Sequence, residues 1–505
     1  MSIVVCLIIC AVNSLIINAV SIRYVQMLQL SGYRIRGVIG WLKRTNGDYL
    51  TRTFALVFFS VATMLIFVVC FSQSALKYIG ALFYLILSVY FIVLQRRQKK
   101  KTPLKFTTRV CRLLPLVTVL NFGLSLLSVY FVKDTIVCYS LIGVVPLFSL
   151  LSVIVSALIA SPIEALISAF YESKAKKKIV GVSVIGITGS YGKATAKNIL
   201  EKFLSVKYSV YASPHSYNTP MGLCKCVNEE YAKQEFFIAE MGARYKGDIK
   251  KLKKIFKPEY TMLTSIGDQH LETFGSLKNI IEEKCSITEG TQFSVANGYD
   301  ELVKNNVKNA VITGENIKFD NVVTNLSGTA FTLTVGEESV EVVTRLLGDH
   351  IPELITLCAA FAMHFGITLS DIAEQCEKLP YVEHRLEVLN GGNMIILDDS
   401  FNSNPNGAKN ALKILDSFEG TKVIITPGFV ELGKDSEAKL VEFGKQIMDV
   451  CDYAFLVGRN ADVIKKGATY DRALKVSSLD EAMSLLGEIV PPYAVLFEND
   501  LPDNY

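Results

Sequence analysis

Five long stretches without a charged residue set the first limit on how this chain can fold. They cover residues 1–22, 53–76, 78–95, 113–132 and 135–163, all in the first third of the 505-residue sequence. Each is long enough to cross a bilayer, for which about 20 apolar residues suffice. A signal peptide is the alternative for the first stretch, but that stretch has no basic start and no small-residue cleavage site. We therefore predict a membrane bundle of five helices.

The lysines and arginines orient this bundle. Residues 23–52 hold six basic side chains against one acid, and residues 95–112 hold eight with no acid, whereas the two alternate loops together hold two basic residues and one acid. Basic loops stay on the cytoplasmic side of a membrane. The pattern predicts a multi-pass protein of the cell membrane with its N-terminus outside and everything after the basic run 174–178 in the cytoplasm.

Charge divides the chain at the same place. Residues 1–178 hold 20 basic and 4 acidic side chains, and the remainder holds 32 and 44, although the whole chain is only +4. The basic part suits anionic membrane lipids, while the acidic remainder argues against a nucleic-acid partner. The eleven cysteines form no paired CxxC pattern, which gives no indication of a cysteine-ligated metal.

Beyond residue 178 the pattern changes to alternating strands and helices, which is typical of an α/β fold. It begins with Gly186-Ile-Thr-Gly-Ser-Tyr-Gly-Lys-Ala-Thr195, a glycine-rich turn between an apolar strand and a helix. Gly189 and Gly192 allow backbone amides to approach a phosphate closely, and Lys193 adds a positive charge. The turn therefore predicts a phosphate-binding loop.

Two further strands end beside polar residues. Residues 236–240 form an apolar strand that ends in Glu240, and residues 260–266 form a strand followed by His270. Lys284 lies in a helix predicted over 278–287. Alone, these residues suit an exposed carboxylate, a structural histidine and a solvated lysine. Ligands collect at the carboxyl ends of parallel strands, so together with the turn they predict a site for Mg²⁺ and phosphate.

A second α/β unit begins near residue 386 and contains strands at 394–397, 422–426, 453–457 and 494–497, with helices between them. Before it, residues 323–346 alternate in the manner of a β-hairpin with strands at 329–335 and 339–346. The polar segment 398–405 follows a strand, and its side chains could bind a nucleotide base or ribose, or could form a turn that caps a helix. We predict three domains: 1–178 in the membrane, 179–384 and 385–505.

The motifs of both α/β units resemble those of the Mur ligases, most closely the branch that adds D-alanyl-D-alanine to a UDP-muramoyl-tripeptide. The resemblance covers about residues 179–440. It rests on blocks in the family's order: Gly186-x-Thr-Gly-Ser-x-Gly-Lys193, Asn218-Thr-Pro, Ala239-Glu-Met-Gly-Ala243, His270-Leu-Glu-x-Phe-Gly-Ser276, Lys284, Arg385-Leu-Glu387, Asp398-Asp-Ser-Phe-Asn-Ser-Asn-Pro405 and Glu431-Leu-Gly433.

The resemblance implies a P-loop central domain, a Rossmann-like third domain and an ATP-dependent ligase. Such an enzyme activates a carboxylate as an acyl phosphate with ATP and Mg²⁺, and an amine then attacks. The implied catalytic residues are Lys193, Glu240, His270 and Lys284. The implied nucleotide contacts are Gly189, Ser190, Gly192, Lys193, Ala194, Thr195, Asn218, Arg385, Asp399, Asn402 and Asn404. The implied metal ligands are Glu240, His270, Thr195 and Lys284, the last as a carbamate.

Several positions depart from the family pattern. Ala194 stands where the family has a Mg²⁺-binding hydroxyl, so Thr195 or water must substitute, or turnover is slow. The asparagine expected after His350 is absent. The chain ends in the acidic segment 497–505, where the branch has a basic segment that meets the incoming group. A cationic amine substrate and a solvated tail are the two interpretations of that end.

The front of the chain departs most. The family's first domain binds a UDP-sugar precursor, and here the five apolar stretches take its place. This predicts a carboxylate acceptor held at the membrane, such as a lipid-linked cell-envelope precursor, joined to an amino acid, dipeptide or amine. Two other interpretations remain open at this point: a nucleotide-driven transporter and a weakly catalytic pseudo-ligase that acts as a scaffold. The uncharged spans argue against a transport pathway, and Ala194 motivates the pseudo-ligase.

Overall fold

A computed structural model describes most of the chain and shows two compact units, one up to Ser168 and the other comprising Ala169–Asp500. The described residues are 3–45, 47–70, 86, 88–90, 92–93, 102–130, 144–215, 217–392, 394–401, 404–430 and 435–500.

The first unit is helical. Its helices are α1 (Ile3–Leu30), α2 (Ile35–Arg44), α3 (Asp48–Cys70), α4 (Thr108–Tyr130) and the first part of α5 (Ser149–Lys178). Polar side chains join α1 to α4: Asn13 Nδ2 donates to Ser125 Oγ at 2.9 Å, and Asn18 Nδ2 donates to Thr118 Oγ1 at 2.9 Å. Such paired polar groups suit helices that pack in an apolar surrounding, because the donor and the acceptor of each pair satisfy one another.

Four of the five apolar stretches fall on described helices. By length and composition, two segments are apolar enough to cross a membrane among the residues that the structure describes, Thr108–Ser128 and Val145–Lys178. Stretches 1–22 and 53–76 coincide largely with α1 and α3, which have 28 and 23 residues. Of stretch 78–95, the structure describes only residues 86, 88–90 and 92–93, so the prediction for this stretch lies mostly outside the described residues. The five-span bundle and its orientation therefore stay predictions.

Helix α5 ends with the basic run 174–178, inside the second unit. Ala175 is buried in the core there, and Lys178 Nζ donates to the carbonyl oxygen of Asn228 at 2.7 Å. Strand β1 (Ser183–Thr188) begins four residues after the helix ends. The predicted domain boundaries stay predictions, but residues 169–178 belong to the second unit by packing.

The second unit opens with a six-stranded parallel sheet, in the order β2-β3-β1-β4-β5-β6. Strand β1 is buried on both faces, which explains its continuous apolar run. The other strands are β2 (Val210–Ala212), β3 (Phe236–Glu240), β4 (Tyr260–Leu263), β5 (Phe293–Ala296) and β6 (Val311–Ile312). The helices that follow these strands are α6 (Lys193–Leu204), α7 (Pro220–Glu229), α8 (Asp248–Phe256), α9 (Leu271–Phe274), α10 (Leu277–Cys285) and α11 (Glu301–Asn306).

A three-stranded antiparallel sheet covers part of this domain. The predicted hairpin is confirmed as β8 (Gly328–Val335) and β9 (Glu338–Thr344), and β7 (Ile317–Asn325) adds a strand that the sequence analysis missed. The register of β7 shifts between Asp320 and Val323, and this irregularity breaks the alternation that would have revealed it. Helices α12 (His350–His364) and α13 (Leu369–Glu377) complete the domain.

The second large sheet has the order β10-β11-β15-β12-β13-β14, parallel except for β10 at one edge. Its strands are β10 (Glu387–Asn390), β11 (Met394–Asp399), β12 (Thr421–Thr426), β13 (Tyr453–Val457), β14 (Ala473–Val476) and β15 (Tyr493–Glu498). Its helices are α14 (Pro405–Asp416), α15 (Ser436–Val450), α16 (Ala461–Lys465) and α17 (Leu479–Leu486). The predicted second α/β unit is confirmed, and its core lies between the sheet and α14, α15 and α16.

Candidate active site

The glycine-rich turn connects β1 to α6 as predicted. A Cβ atom on Gly189 would lie 2.0 Å from Thr264 Oγ1, and one on Gly192 would lie 2.9 Å from Leu354 Cδ2. Gly192 also has a φ of 77°, which side chains other than glycine rarely adopt. Because α6 starts at Lys193, its free N-terminal amides border the turn. This arrangement suits a phosphate group at the N-terminus of α6.

Two lysines meet on the turn. Lys193 Nζ and Lys284 Nζ both donate to the carbonyl oxygen of Gly189, each at 2.8 Å. Burial lowers the pKa of Lys193 to about 8, while the carboxylate of Glu240 opposes the shift. Burial also lowers the pKa of Lys284 well below its ordinary value, and the charge of Lys193 lowers it further. Lys284 is therefore not the solvated helix lysine that it would be by position alone.

The carboxylate of Glu240 is buried at the end of β3. Its Oε1 accepts a hydrogen bond from Asn218 Nδ2 at 3.1 Å, and its Oε2 lies 3.8 Å from Lys197 Nζ. Oε2 has no hydrogen-bond partner among the described residues. A buried carboxylate oxygen with a distant cation and no hydrogen bond suits a further cationic ligand, because burying a charged oxygen without a hydrogen bond is unfavourable.

That oxygen is the observation that fits Mg²⁺ to this site. No group of three or more histidine, cysteine, aspartate or glutamate side chains that could hold a metal occurs in the described part of the chain. Mg²⁺ needs only one or two protein carboxylates when phosphate oxygens and water complete its shell. His270 lies half-buried at the start of α9, in the loop that follows β4. Its role as a ligand stays a prediction.

The two residues after Lys193 differ in exposure. Ala194 is half-buried, whereas Thr195 is buried. Ser190 uses its hydroxyl inside the protein, where it accepts a hydrogen bond from the Gly267 amide at 2.8 Å. The hydroxyl thus fixes the turn to the loop after β4.

The second large sheet contributes Arg385 and Asp399 to the same region. Arg385 interacts electrostatically with Glu240 and Lys193, and its guanidinium lies over the Phe401 ring at 4.9 Å. Burial raises the pKa of Asp399 to about 6, with Arg385 opposing the shift. Asp399 Oδ1 also accepts a hydrogen bond from the Leu386 amide at 3.2 Å. The structure therefore brings Arg385 to the phosphate turn.

The segment 398–405 was predicted either to bind a nucleotide or to form a turn that caps a helix. Asn404 is the N-cap of α14, because its Oδ1 accepts hydrogen bonds from the amides of Asn406 at 3.1 Å and Gly407 at 3.0 Å. The helix-cap alternative thus applies to Asn404, and its nucleotide contact stays a prediction. Asn402 and the motif 431–433 lie outside the described residues.

Lys197 is the site residue that the sequence analysis missed. Its Nζ donates to the carbonyl oxygens of Ser213 at 2.6 Å and His215 at 2.8 Å, beside Glu240. Its position gave an available indication, since it lies one helical turn after Lys193 on the same helix. A lysine on an amphipathic helix is ordinarily solvated, and only the tertiary structure shows this one to be buried.

Comparison with known families agrees with this geometry. The model of the Mur ligase middle domain matches residues 187–362, and that of the Mur ligase glutamate ligase domain matches residues 384–497. Together they cover more than half of the sequence. The chain belongs to the Mur ligase family. Membership makes it an ATP-dependent ligase that forms amide bonds and requires Mg²⁺.

Similar members of the Mur ligase family include two UDP-N-acetylmuramoyl-tripeptide–D-alanyl-D-alanine ligases. The Bacillus subtilis ligase is 29% identical over 308 residues, which cover 59% of this chain and 67% of the relative. The Haemophilus influenzae ligase is 25% identical over 339 residues, which cover 63% of this chain and 71% of the relative.

Solved Mur ligase structures share the fold. A MurF ligase from Thermotoga maritima in complex with ADP is 25% identical, with a TM-score of 0.60, and the match covers 66% of this chain and 80% of that one. A MurF structure from Acinetobacter baumannii is 23% identical, with a TM-score of 0.60, and the match covers 65% and 75%. The predicted Mur ligase central and C-terminal folds are confirmed.

Proposed function

We propose that this Mur ligase acts at the cytoplasmic face of a bacterial membrane, where it joins a membrane-held carboxylate to an amino acid, dipeptide or amine. The observation that supports the proposal most is the combination of an assembled phosphate site with a helical, apolar first third. The phosphate site of the second unit brings together Lys193, Lys284 and Glu240. Among the described residues, the helical segments Thr108–Ser128 and Val145–Lys178 are apolar enough to span a membrane.

The related ligases from Bacillus subtilis and Haemophilus influenzae suggest the class of pathway. They join a dipeptide to a UDP-linked muramoyl peptide, so we place this chain in the synthesis of peptidoglycan or a related envelope precursor. The family models begin at residue 187, and the residues before it are predominantly apolar. A lipid-linked acceptor is therefore a more suitable substrate than a soluble nucleotide sugar.

The chemistry assigns each side chain a task. A carboxylate oxygen of the acceptor attacks the γ-phosphorus of ATP, ADP leaves and an acyl phosphate forms. The amine then attacks the acyl carbon, phosphate leaves and the amine gives up a proton. Lys193 and the amides after Gly189 would bind the transferring phosphoryl group, where neutralising charge lowers the barrier. Glu240 and His270 would hold Mg²⁺, which offsets the charge of the phosphate oxygens.

Arg385 and Lys284 complete this assignment. Arg385, which interacts with Glu240 and Lys193, would contact the nucleotide from the second large sheet. Lys284 would act as a carbamate and thereby replace a cation with an anionic metal ligand. Formation of a carbamate requires a neutral amine, and the lowered pKa of Lys284 favours that form. Both roles follow from the family and remain parts of the proposal.

One observation favours a second function, that of a scaffold with weak catalysis. Ala194 lacks the hydroxyl that would contact Mg²⁺, and the next hydroxyl, on Thr195, is buried. A pseudo-ligase would bind ATP yet release no phosphate in the presence of acceptor and amine. A nucleotide-driven transporter, the third interpretation, would move a solute across vesicles without forming an amide.

The test begins with lipid-linked envelope intermediates from a strain without this gene. Mass spectrometry should reveal a species that lacks one amino-acid-sized or dipeptide-sized mass, and this species is the acceptor. The full-length protein in vesicles should then join the missing group to it with stoichiometric release of phosphate. Lys193→Met should abolish the reaction.

Two results would contradict the proposal. If the purified protein used only soluble UDP-muramoyl-tripeptide, with no gain from lipid-linked acceptors, the membrane-held acceptor would be wrong. If ATP bound but phosphate release stayed at the Lys193→Met level with every acceptor and amine mixture, the scaffold would be the better description. ATP-driven solute flux without amide product would favour the transporter.

A further inference from the structure

A residue inside the phosphate-binding turn is connected to the second large sheet by side chains alone. Tyr191 lies between Ser190 and Gly192, and its hydroxyl donates to Asp268 Oδ1 at 3.1 Å. Asp268 Oδ2 forms an ion pair with Lys439 Nζ. Lys439 is on α15, which packs on the second large sheet through Leu440, Phe443 and Ile447. The path thus crosses from one sheet domain to the other.

The backbone of Tyr191 is fixed as well. Its amide donates to Ser265 Oγ at 2.8 Å, and its carbonyl oxygen accepts a hydrogen bond from Thr264 Oγ1. The ring lies against Gly267, where a Cβ atom would come within 2.6 Å of Tyr191 Cε2. Tyr191 therefore holds the turn onto the loop after β4 at several points, and Asp268 is the residue of that loop that meets α15.

A second ion pair between the same two domains does not touch the turn. Lys413 Nζ on α14 lies 2.8 Å from Asp349 Oδ2. The side chains of Lys413 and Asp349 are 67% and 45% exposed, whereas those of Lys439 and Asp268 are 32% and 29% exposed. The more exposed pair is expected to contribute little, because solvent screens it. It provides a matched comparison for any effect of docking alone.

We propose that Lys439 and Asp268 are positioning residues that act through Tyr191, so that the turn binds the phosphates of ATP tightly only when the second large sheet is docked. Lys439 holds Asp268, Asp268 holds the Tyr191 hydroxyl, and the Tyr191 backbone places Gly192 and the first amides of α6. Docking of the domain that carries Arg385 thereby fixes the positions of the backbone amides that bind phosphate. This inference concerns nucleotide binding and does not depend on which acceptor is used.

The test measures the affinity of a fluorescent ATP analogue with Mg²⁺ for the full-length protein in detergent. Lys439→Gln and Tyr191→Phe should each weaken binding about five- to tenfold, within the usual range of coupling between sites. Lys439→Arg, which keeps the charge, should restore most of the affinity. Lys413→Gln should bind as the wild type does. Because the three residues act in series, the double variant Lys439→Gln/Tyr191→Phe should bind no more weakly than the poorer single variant.

Hydrogen exchange supplies a readout that does not depend on affinity. The amides of residues 189–193 should exchange faster in Lys439→Gln than in the wild type, and at the wild-type rate in Lys413→Gln. The proposal is wrong if Lys439→Gln binds the analogue normally, if the two single effects add in the double variant, or if Lys413→Gln weakens binding as much. Since no acceptor is used, failure here leaves the proposed ligase reaction standing, and success does not require it.

Discussion

At the scale of single residues, the burial of Lys284 in the site lowers the stability of the folded protein. It is fully buried on α10, where its Nζ donates a hydrogen bond to the carbonyl oxygen of Gly189. Burial and the charge of Lys193 lower its pKa in the folded protein, while the unfolded chain keeps the ordinary value. Protonation therefore favours the unfolded chain, and the penalty grows as pH falls from about 10.4 toward the folded-state pKa.

Lys284→Met should consequently stabilise the protein while it removes activity. In CO₂-depleted buffer we expect a higher midpoint of thermal unfolding at pH 7 and a smaller gain at pH 9.5, because the penalty on the buried lysine shrinks as the pH approaches the ordinary lysine pKa of about 10.4. ATP turnover should fall by about a hundredfold or more, as for other charge-stabilising groups. Lys278→Met, an exposed change on the same helix, is the control. Destabilisation at pH 7 would contradict this account.

Ala194 leads to a prediction about metal use. Ala194→Thr restores a hydroxyl directly after Lys193 and should raise turnover about tenfold or lower the Mg²⁺ concentration needed for half-maximal rate. Ala194→Val adds nearly the same volume without the hydroxyl and should do neither. Equal rates for all three proteins, measured over a Mg²⁺ titration, would mean that Thr195 or water already fills the role.

Sequence reasoning reached these residues unevenly. The turn was predictable because glycine spacing and a following lysine have local causes, and β1 and α6 appear where the apolar and helix-forming runs indicated. Lys284 and Lys197 could not be derived from local pattern, since burial of a lysine depends on distant segments. The family resemblance indicated Lys284, whereas the sequence indicated Lys197 only by its place one helical turn after Lys193.

At the scale of elements, the N-terminus of α14 depends on Asn404, for which capping of the helix and binding of the nucleotide are separate roles. Asn404 caps this helix through two backbone amides. Asn404→Ala should lower the free energy of unfolding by about 1 kcal/mol, the usual cost of losing an N-cap. Asn404→Asp keeps an accepting oxygen and should retain the stability in urea unfolding.

The same pair of variants tests the predicted nucleotide contact. If Asn404 only caps the helix, ATP affinity should follow stability and Asn404→Asp should bind ATP normally. If its amide also contacts the nucleotide, Asn404→Asp should be stable yet bind ATP more weakly. Unchanged stability in Asn404→Ala would show that the cap is dispensable.

Elements were predictable where burial imposes a pattern. Strands β3 and β13 have the predicted bounds, because each is a short apolar run between clear boundaries. Strands β10 and β14 were missed. Both are short edge strands of four residues, so little apolar sequence marks them. These segments are strands because they pair with a neighbouring strand, and a short stretch of sequence does not reveal that pairing.

At the scale of the whole molecule, the orientation of the first third is the open prediction. Alkaline phosphatase fused after residue 134 should be active, since that loop is predicted outside, and fused after residue 178 it should be inactive. A green fluorescent protein fused at the same two places should give the opposite result. Activity of alkaline phosphatase after residue 178 would place the catalytic unit on the wrong side for ATP and would contradict the topology.

Helix α5 gives the membrane attachment a kinetic meaning. It runs unbroken from Ser149 to Lys178, its end is packed among core residues, and only residues 179–182 separate it from β1. Four residues span about 14 Å at most. On the proposed topology the enzyme searches a surface, and the relevant acceptor concentration is a number per unit area. Diluting the acceptor with inert lipid, at constant bulk concentration, lowers its surface density. It should then slow the reaction as strongly as removing the same fraction of the acceptor.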